Sequence, residues 1–479
     1  MIKKNFLKKA SAIILGLATM GILGSQVFAA VPGSGWWALS SYQNIGTSNA
    51  NISITAYQTG TTNTYTHTPG VLATGASYQL SPSGFAGLPA GFVGSFTASS
   101  DQPLAAVVNL TNKLSGGLGV SGGKAAAIYS GVNNPATTLL FPSVKHNHFG
   151  KTSTIYLQNA GNSATTISVT ISVSGVSYPY TSPTIQPGFM LVFDAGLAGV
   201  PSGNGNVGSA TVTSANPVAG TQVEHEHSAS IATIAQAYDS FSTSQLSNTS
   251  YCPSFKKNYF GRSGAVQVQN AHTTTQDITV KYYNTSGYVT SDVTTNVASG
   301  ASIVVFKPAS IIDGLYSVIV EGSAGNVAAI VNESELPLVS ARQTSVTYNC
   351  VNNSITTNKV VYPAYRNFYE DLTTAIQVQN IGTSNATNVV LTFVANNGTT
   401  YTTTAQTINA GASKTFVNMH SFVGWTGSAL PQNTISGLTI TSDQPIVAIV
   451  NESSWLVSGG PNNDANTNID KAGGTAINQ

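Results

Sequence analysis

The chain carries the same text four times, and that repetition constrains its fold more than any single residue does. The pair Gln-Asn stands at Gln43-Asn44, Gln158-Asn159, Gln269-Asn270 and Gln379-Asn380, at spacings of 115, 111 and 110 residues. The flanking text is recognisably one sequence, "SSYQNIGTSNANISITAYQTG" in the first copy and "AIQVQNIGTSNATNVVLTFVANNG" in the last. A glycine closes each block (Gly60, Gly175, Gly287, Gly398), and a second follows shortly after (Gly75, Gly188, Gly300, Gly411). The rear half repeats as well, in "SDQPLAAVVN", "SANPVAGTQVEHE", "GNVAAIVNES" and "SDQPIVAIVNES". Connectors such as "AAIYSGVNNPATTLLFPSV" and "SVTYNCVNNSITTNKVVYPAY" join the copies.

Within a copy the period is two. Ile167, Val169, Ile171 and Val173 alternate with Ser and Thr, as do Val389, Leu391 and Phe393 with their neighbours, which is the pattern of a half-buried strand. Short segments rich in Val, Ile, Thr and Tyr, bounded by Gly, Asn, Ser or Pro, predict seven or eight strands per copy and no sustained helix. The expected fold class is all-β, with four tandem immunoglobulin-like β-sandwich domains following a cleaved signal peptide. Propeller blades are about 40–50 residues long, so units this large fit that alternative poorly. The copies divide the chain into a signal peptide at 1–30, units at 31–128, 129–237, 238–347 and 348–456, and a polar tail at 457–479.

The signal peptide rests on Lys3, Lys4, Lys8 and Lys9, an apolar run from Ala12 to Leu23, and small residues ending at Ala29 or Ala30. The apolar run is short for a membrane span, and no span is expected in the remaining chain. This segment holds four of the 18 Lys and Arg and none of the 17 Asp and Glu, which leaves the remainder at −3. With 7% charged residues and no basic cluster beyond Lys256-Lys257, nucleic acid is excluded as a partner class. Thr, Ser, Asn and Gly must supply the polar surface, which suits outward sheet faces and packing against other subunits.

The connector ending in Phe or Tyr then Pro, the "Q-N-x-G" block, the "G-A-S" turn and "S-D-Q-P-x-x-A-x-V-N" together resemble secreted bacterial cell-surface proteins with tandem immunoglobulin-like, cell-adhesion-related repeats. The resemblance spans about residues 31 to 456 and implies an extracellular or cell-surface role in a surface layer, filament or adhesin. Its motifs are strand and turn chemistry, so they specify architecture better than activity.

Cys252 and Cys350 bracket the third copy, 98 residues apart, and in an exported chain they are expected to form a disulfide. His225 and His227 lie two apart on a predicted strand, and His146 and His148 repeat that spacing, giving a weak candidate metal set. Ordinary surface histidines are the plainer reading. Glu224, Glu333 and Glu452 share one slot of the repeat. Lys281, Asn332 and Glu333 are the candidate set for an intramolecular amide cross-link, against a plain structural hydrogen bond for the glutamate. Trp36, Trp37, Trp425 and Trp455 can stack on sugars or pack in the fold.

No catalytic set is present: there is no nucleophile with a base, no phosphate loop and no carboxylate pair. No enzyme activity and no cofactor are expected. The expected function is a non-enzymatic structural subunit of a bacterial extracellular assembly, self-associating or binding other cell-surface components. The alternative is a secreted adhesin or glycan- or protein-binding module. The first copy starts with "VPGSGWWALSSYQN" and lacks the strand that opens copies two to four, such as "TTLLFPSV". Its sheet edge is therefore expected to be open, with the C-terminal tail or a neighbour's connector as the candidate donor, against the plainer reading of a frayed, solubilising tail.

Overall fold

The computed structural model describes residues 11–14, 31, 36–111, 125–227, 234–335, 345–369, 372–454, 472–475 and 477–478. Antiparallel strand is the dominant regular structure of the described residues, with five short 3-10 turns and no α-helix among them. No helix among them is long and apolar enough to cross a membrane.

The third copy displays the wiring. One sheet orders strands Gly287–Val297, Gln276–Asn284, Gly314–Gly322, Thr249–Lys257 and Val351–Asn352; the other orders Ser302–Phe306, Arg262–Asn270, Val327–Glu335 and Ser345–Asn349. Between them lies a core of Val266, Val268, Val280, Tyr282, Val318 and Val320, all essentially without solvent contact. In copies two and four a single bent strand, Val207–Glu226 or Thr434–Ser454, runs through both sheets and merges them. The period-two reading of Ile167–Val173 holds: its apolar positions are buried and its Ser and Thr positions are not.

Strand pairing carries each copy past the sequence boundaries. Ala126–Ser130 pairs with Val107–Thr111, Ala235–Asp239 with Thr221–His225, and Ser345–Asn349 with Ile330–Ser334. In the fourth copy the matching strand is Ala472–Thr475, paired with Ile449–Glu452, and Ile477–Asn478 follows on Val360–Val361. The end of the polar tail is thus the last strand of the fourth copy. For 472–475 and 477–478 this corrects both readings of the tail, the frayed one and the donor to the first copy's edge, because their backbone is paired within the fourth copy; 457–471 lie outside the described residues.

The copies close on one another as a ring. Each core takes apolar side chains from the next copy: Ala235 and Ala237 join the first core, Ala328 and Ile330 the second, and Ile449 the third. Val107, Ala126 and Ile128 of the first copy join the fourth core and complete the circuit. At the centre, 126–130, 235–239, 345–349 and 472–475 lie side by side in that cyclic order. Burial of side chains in two cores at once makes the seams part of the fold rather than loose junctions.

Candidate functional site

The repeated Gln and Asn have separate tasks. Asn270 Nδ2 donates to Thr274 O at 2.9 Å and Val297 O at 2.8 Å, while its Oδ1 accepts from His272 N at 2.9 Å. Asn44, Asn159 and Asn380 make the same three bonds in their copies. One buried amide thereby holds two turns together. Replacing Asn270 by Ala is expected to cost about 2 kcal/mol, since two carbonyls and one N–H lose their partner inside the protein. Urea unfolding of the variant measures this.

The Gln works at the seams. Gln158 Nε2 donates to Gly188 O at 2.8 Å, and Ser95 Oγ of the preceding copy donates to the same carbonyl at 2.6 Å. The pattern recurs at Gly300 O, from Gln269 and Ser209, and at Gly411 O, from Gln379 and Ser317. At the closing seam Gln43 Nε2 donates to Gly75 O at 3.1 Å, and Gly437 stands where the other copies have Ser. A Cβ on Gly437 would sit 2.7 Å from both Gly75 O and Gln43 Nε2, so the fourth seam is closed by backbone approach instead of a hydroxyl. Asn396 adds bonds from the fourth copy to Ser77 and Gln79 of the first.

The three glutamates of the shared slot are buried and each meets a cation from its copy's first strand. Glu224 takes Lys145 Nζ at 2.6 Å and Lys151 Nζ at 3.4 Å; Glu333 takes Lys256 Nζ at 2.7 Å and Arg262 at 3.4 Å; Glu452 takes Arg366. Burial alone pushes the Glu224 carboxyl up, but the ammonium groups of Lys145 and Lys151 outweigh it and hold it at about 2. The cations are legible in sequence after the fact, as Pro-x-x-Lys/Arg at Pro142–Lys145, Pro253–Lys256 and Pro363–Arg366. In the first copy the glutamate slot holds Leu110, fully buried, and no such basic motif precedes Gln43.

Around the central strands, Ser130, Asp239 and Asn349 share one level. Asp239 Oδ2 accepts from Ser130 N at 2.8 Å and Oδ1 from Thr221 Oγ1 at 2.9 Å; Asp239 N donates to Asn349 Oδ1 at 3.1 Å. Burial pushes the Asp239 carboxyl up to about 7, although the Ser130 N–H and Thr221 O–H pull it down. The folded chain then binds this proton more tightly than the unfolded chain does. Its contribution favours folding most below pH about 4 and declines as pH rises towards about 7. Asp239→Asn should remove this decline and leave the variant more stable at pH 8 by on the order of 2 kcal/mol, as thermal melts across pH would show. Asn349 demonstrates that an amide fits the level.

The other sequence candidates fall into ordinary roles. Cys252 and Cys350 are joined in a disulfide across the first and last strands of the third copy, both buried in its core. His225 is buried and uses both ring nitrogens, Nδ1 donating to Glu226 O and Nε2 bonding Thr154 Oγ1. His227 bonds Thr152 Oγ1, His146 bonds Val200 O, and His148 accepts from Gly205 N. Among the described residues no group of three or more His, Cys, Asp or Glu is placed to hold a metal. Lys281 pairs with Glu321 at 2.7 Å, on the sheet opposite Glu333, so the structure does not bring the proposed cross-link set together. Asn332 bonds Gln267 instead. Trp36 is fully buried, Trp425 packs on Phe393 and Phe422, and Trp455 lies outside the described residues.

No protein-family model matches the chain, and no curated protein matches it in sequence. Among solved structures, the chain is similar to one described as Thermotoga maritima 1070, at 17% identity and TM-score 0.19, covering 22% of this chain and 95% of that one. It is also similar to a tetra-tandem repeat in the extending region of a large adhesion protein, at 12% identity and TM-score 0.11, covering 90% of this chain and 92% of that one.

Proposed function

We propose that the chain is a non-enzymatic structural subunit of a bacterial extracellular assembly, exported by a cleaved signal peptide and built from four immunoglobulin-like β-sandwich domains. One observation carries the reading: the repeated polar side chains are spent on holding the copies together and on fixing backbone and buried charge within them. Gln and Ser meet a glycine carbonyl across the seam, Asn locks turns, and the slot glutamates neutralise buried cations. None of these groups is left facing solvent in a cleft where a substrate would sit. The two-sheet wiring of the third copy supports the immunoglobulin-like assignment, and a core in each copy supports the count of four. A neutral surface of Thr, Ser, Asn and Gly permits dense packing between molecules without charge repulsion.

The reading is tested on the purified chain from Val31 onward, concentrated and imaged by negative-stain microscopy. Sheets or filaments of regular repeat are expected. Single particles at every concentration would overturn it.

A further inference from the structure

The first copy is completed by a strand that lies within the signal segment. Ser11–Ile14 pairs antiparallel with the edge of Gly94–Ser100, in the register Ser11↔Ser99, Ala12↔Ala98, Ile13↔Thr97 and Ile14↔Phe96. That position belongs to the opening strand of the other copies. Leu139, Leu140 and Phe141 face Val212, Thr211 and Ala210 in the second copy, and Val360, Val361 and Tyr362 face Ile440, Thr439 and Leu438 in the fourth. Both series align with Ala98, Thr97 and Phe96 through the common partner strand, where Ile54↔Ala98, Val169↔Val212 and Leu391↔Ile440 are equivalent pairs.

We infer that Gly94–Ser100 is a strand-acceptor edge, occupied in the mature chain by an extended, uncharged segment of a second copy of this chain. The inference rests on the export and assembly reading above, because loss of residues 1–30 removes Ser11–Ile14 and leaves the edge unpaired. Two features say what the edge accepts. Wherever a copy supplies its own opening strand, that strand brings Lys145, Lys256 or Arg366 to a buried glutamate. In the first copy the slot is Leu110, opposite Ala38, just as Glu224 is opposite Ser153 and Glu452 opposite Thr374. The acceptor therefore carries no carboxylate, and a donor with a cation at that level would bury it unpaired. The donor must be apolar there.

Among the described residues, the ends of the mature chain do not fill the edge. Val31 is buried against the second copy, its N–H bonded to Tyr156 Oη at 3.2 Å, and Trp36 is buried in the first core. At the other end, 472–475 and 477–478 are paired within the fourth copy. An open ladder above an apolar core is a template for strand addition, and the main chain supplies affinity while side-chain fit supplies selectivity.

The test uses the chain from Val31 onward, the chain retaining residues 1–30, and an end-capped synthetic peptide of residues 10–16 as probe. The Val31 chain should bind the peptide one to one, and a peptide with Ile13→Pro should bind roughly tenfold or more weakly because a ladder bond is lost. The chain retaining residues 1–30, with its edge filled, should not bind the peptide and should stay single by light scattering. Assemblies of the Val31 chain should dissociate as the peptide saturates. Assemblies that form and persist in saturating peptide would overturn the acceptor and leave the structural-subunit reading standing. Failure of the peptide to bind overturns the acceptor as well. A Val31 chain that binds peptide yet stays single in its absence would overturn both readings.

Discussion

Replacing Cys252 and Cys350 together by Ala is expected to lower unfolding free energy by about 4–5 kcal/mol, the largest effect of any pair change outside the ion-pair slots. The bridge closes a loop of 98 residues, and the loop-entropy model gives about that value for such a length. It joins the opening strand Thr249–Lys257 to the segment that continues as Val351–Asn352, two strands that also pair with each other. The variant keeps those ladder bonds, so it should fold in the same register with an earlier urea midpoint. Because both sulfurs are buried, reductant should act on the native protein only at the rate at which the third copy opens. A midpoint that does not move when both cysteines are replaced would contradict this account of the third copy.

The second large effect lies at Lys145. Lys145→Met removes the near cation from Glu224 and leaves a buried carboxylate with Lys151 alone at 3.4 Å. A loss of about 3–5 kcal/mol is expected, as for other buried pairs broken on one side. Adding Glu224→Leu should restore most of it, because the first copy carries Leu110 at this slot and packs it fully. The pH behaviour gives an independent check. Glu224 is held at about 2, below the ordinary 4.5, so its contribution is complete above pH about 4.5 and is lost as pH falls through about 2. In the double variant that acid loss should shrink. If the single variant unfolds at the same urea concentration as the parent, the buried pair does not stabilise the second copy.

Much of the fold was legible from one-dimensional pattern. Alternation at Ile167–Val173 predicts a half-buried strand because period two is the geometry of the strand itself. The repeats marked Gln158 and Asn159 as special, and both proved to hold backbone that any substitution would leave unpaired. The disulfide was legible because Cys252 and Cys350 bracket a single repeat. What pattern could not convey is which faces of different copies meet. Ser95 is one serine among many until Gly188 O lies 2.6 Å away, 93 residues further along. Asp239 is one connector residue among many in the sequence, yet the ring half-buries it between Ser130 and Thr221. The tail at 457–479 looks like solvated chain because Gly473, Gly474 and Asn478 have low strand preference. Residues 472–475 and 477–478 nevertheless pair with Ile449–Glu452 and Val360–Val361, a tertiary effect that outweighs propensity. The absence of a Pro-x-x-basic motif before Gln43, together with Leu110, was a readable sign of the unusual first edge, but only once the ion pairs of the other copies were known.

The ring is the central claim, since the closing seam at Gln43 and Gly437, the Asn396 bonds and the place of Val107 and Ile128 in the fourth core all need the fourth copy to meet the first. Small-angle X-ray scattering of the single chain measures this directly. A closed ring of this length should have a radius of gyration of about 22–25 Å, near that of a compact body. Four units of about 13 Å radius of gyration strung in line would give about 40 Å, and that result would contradict the account.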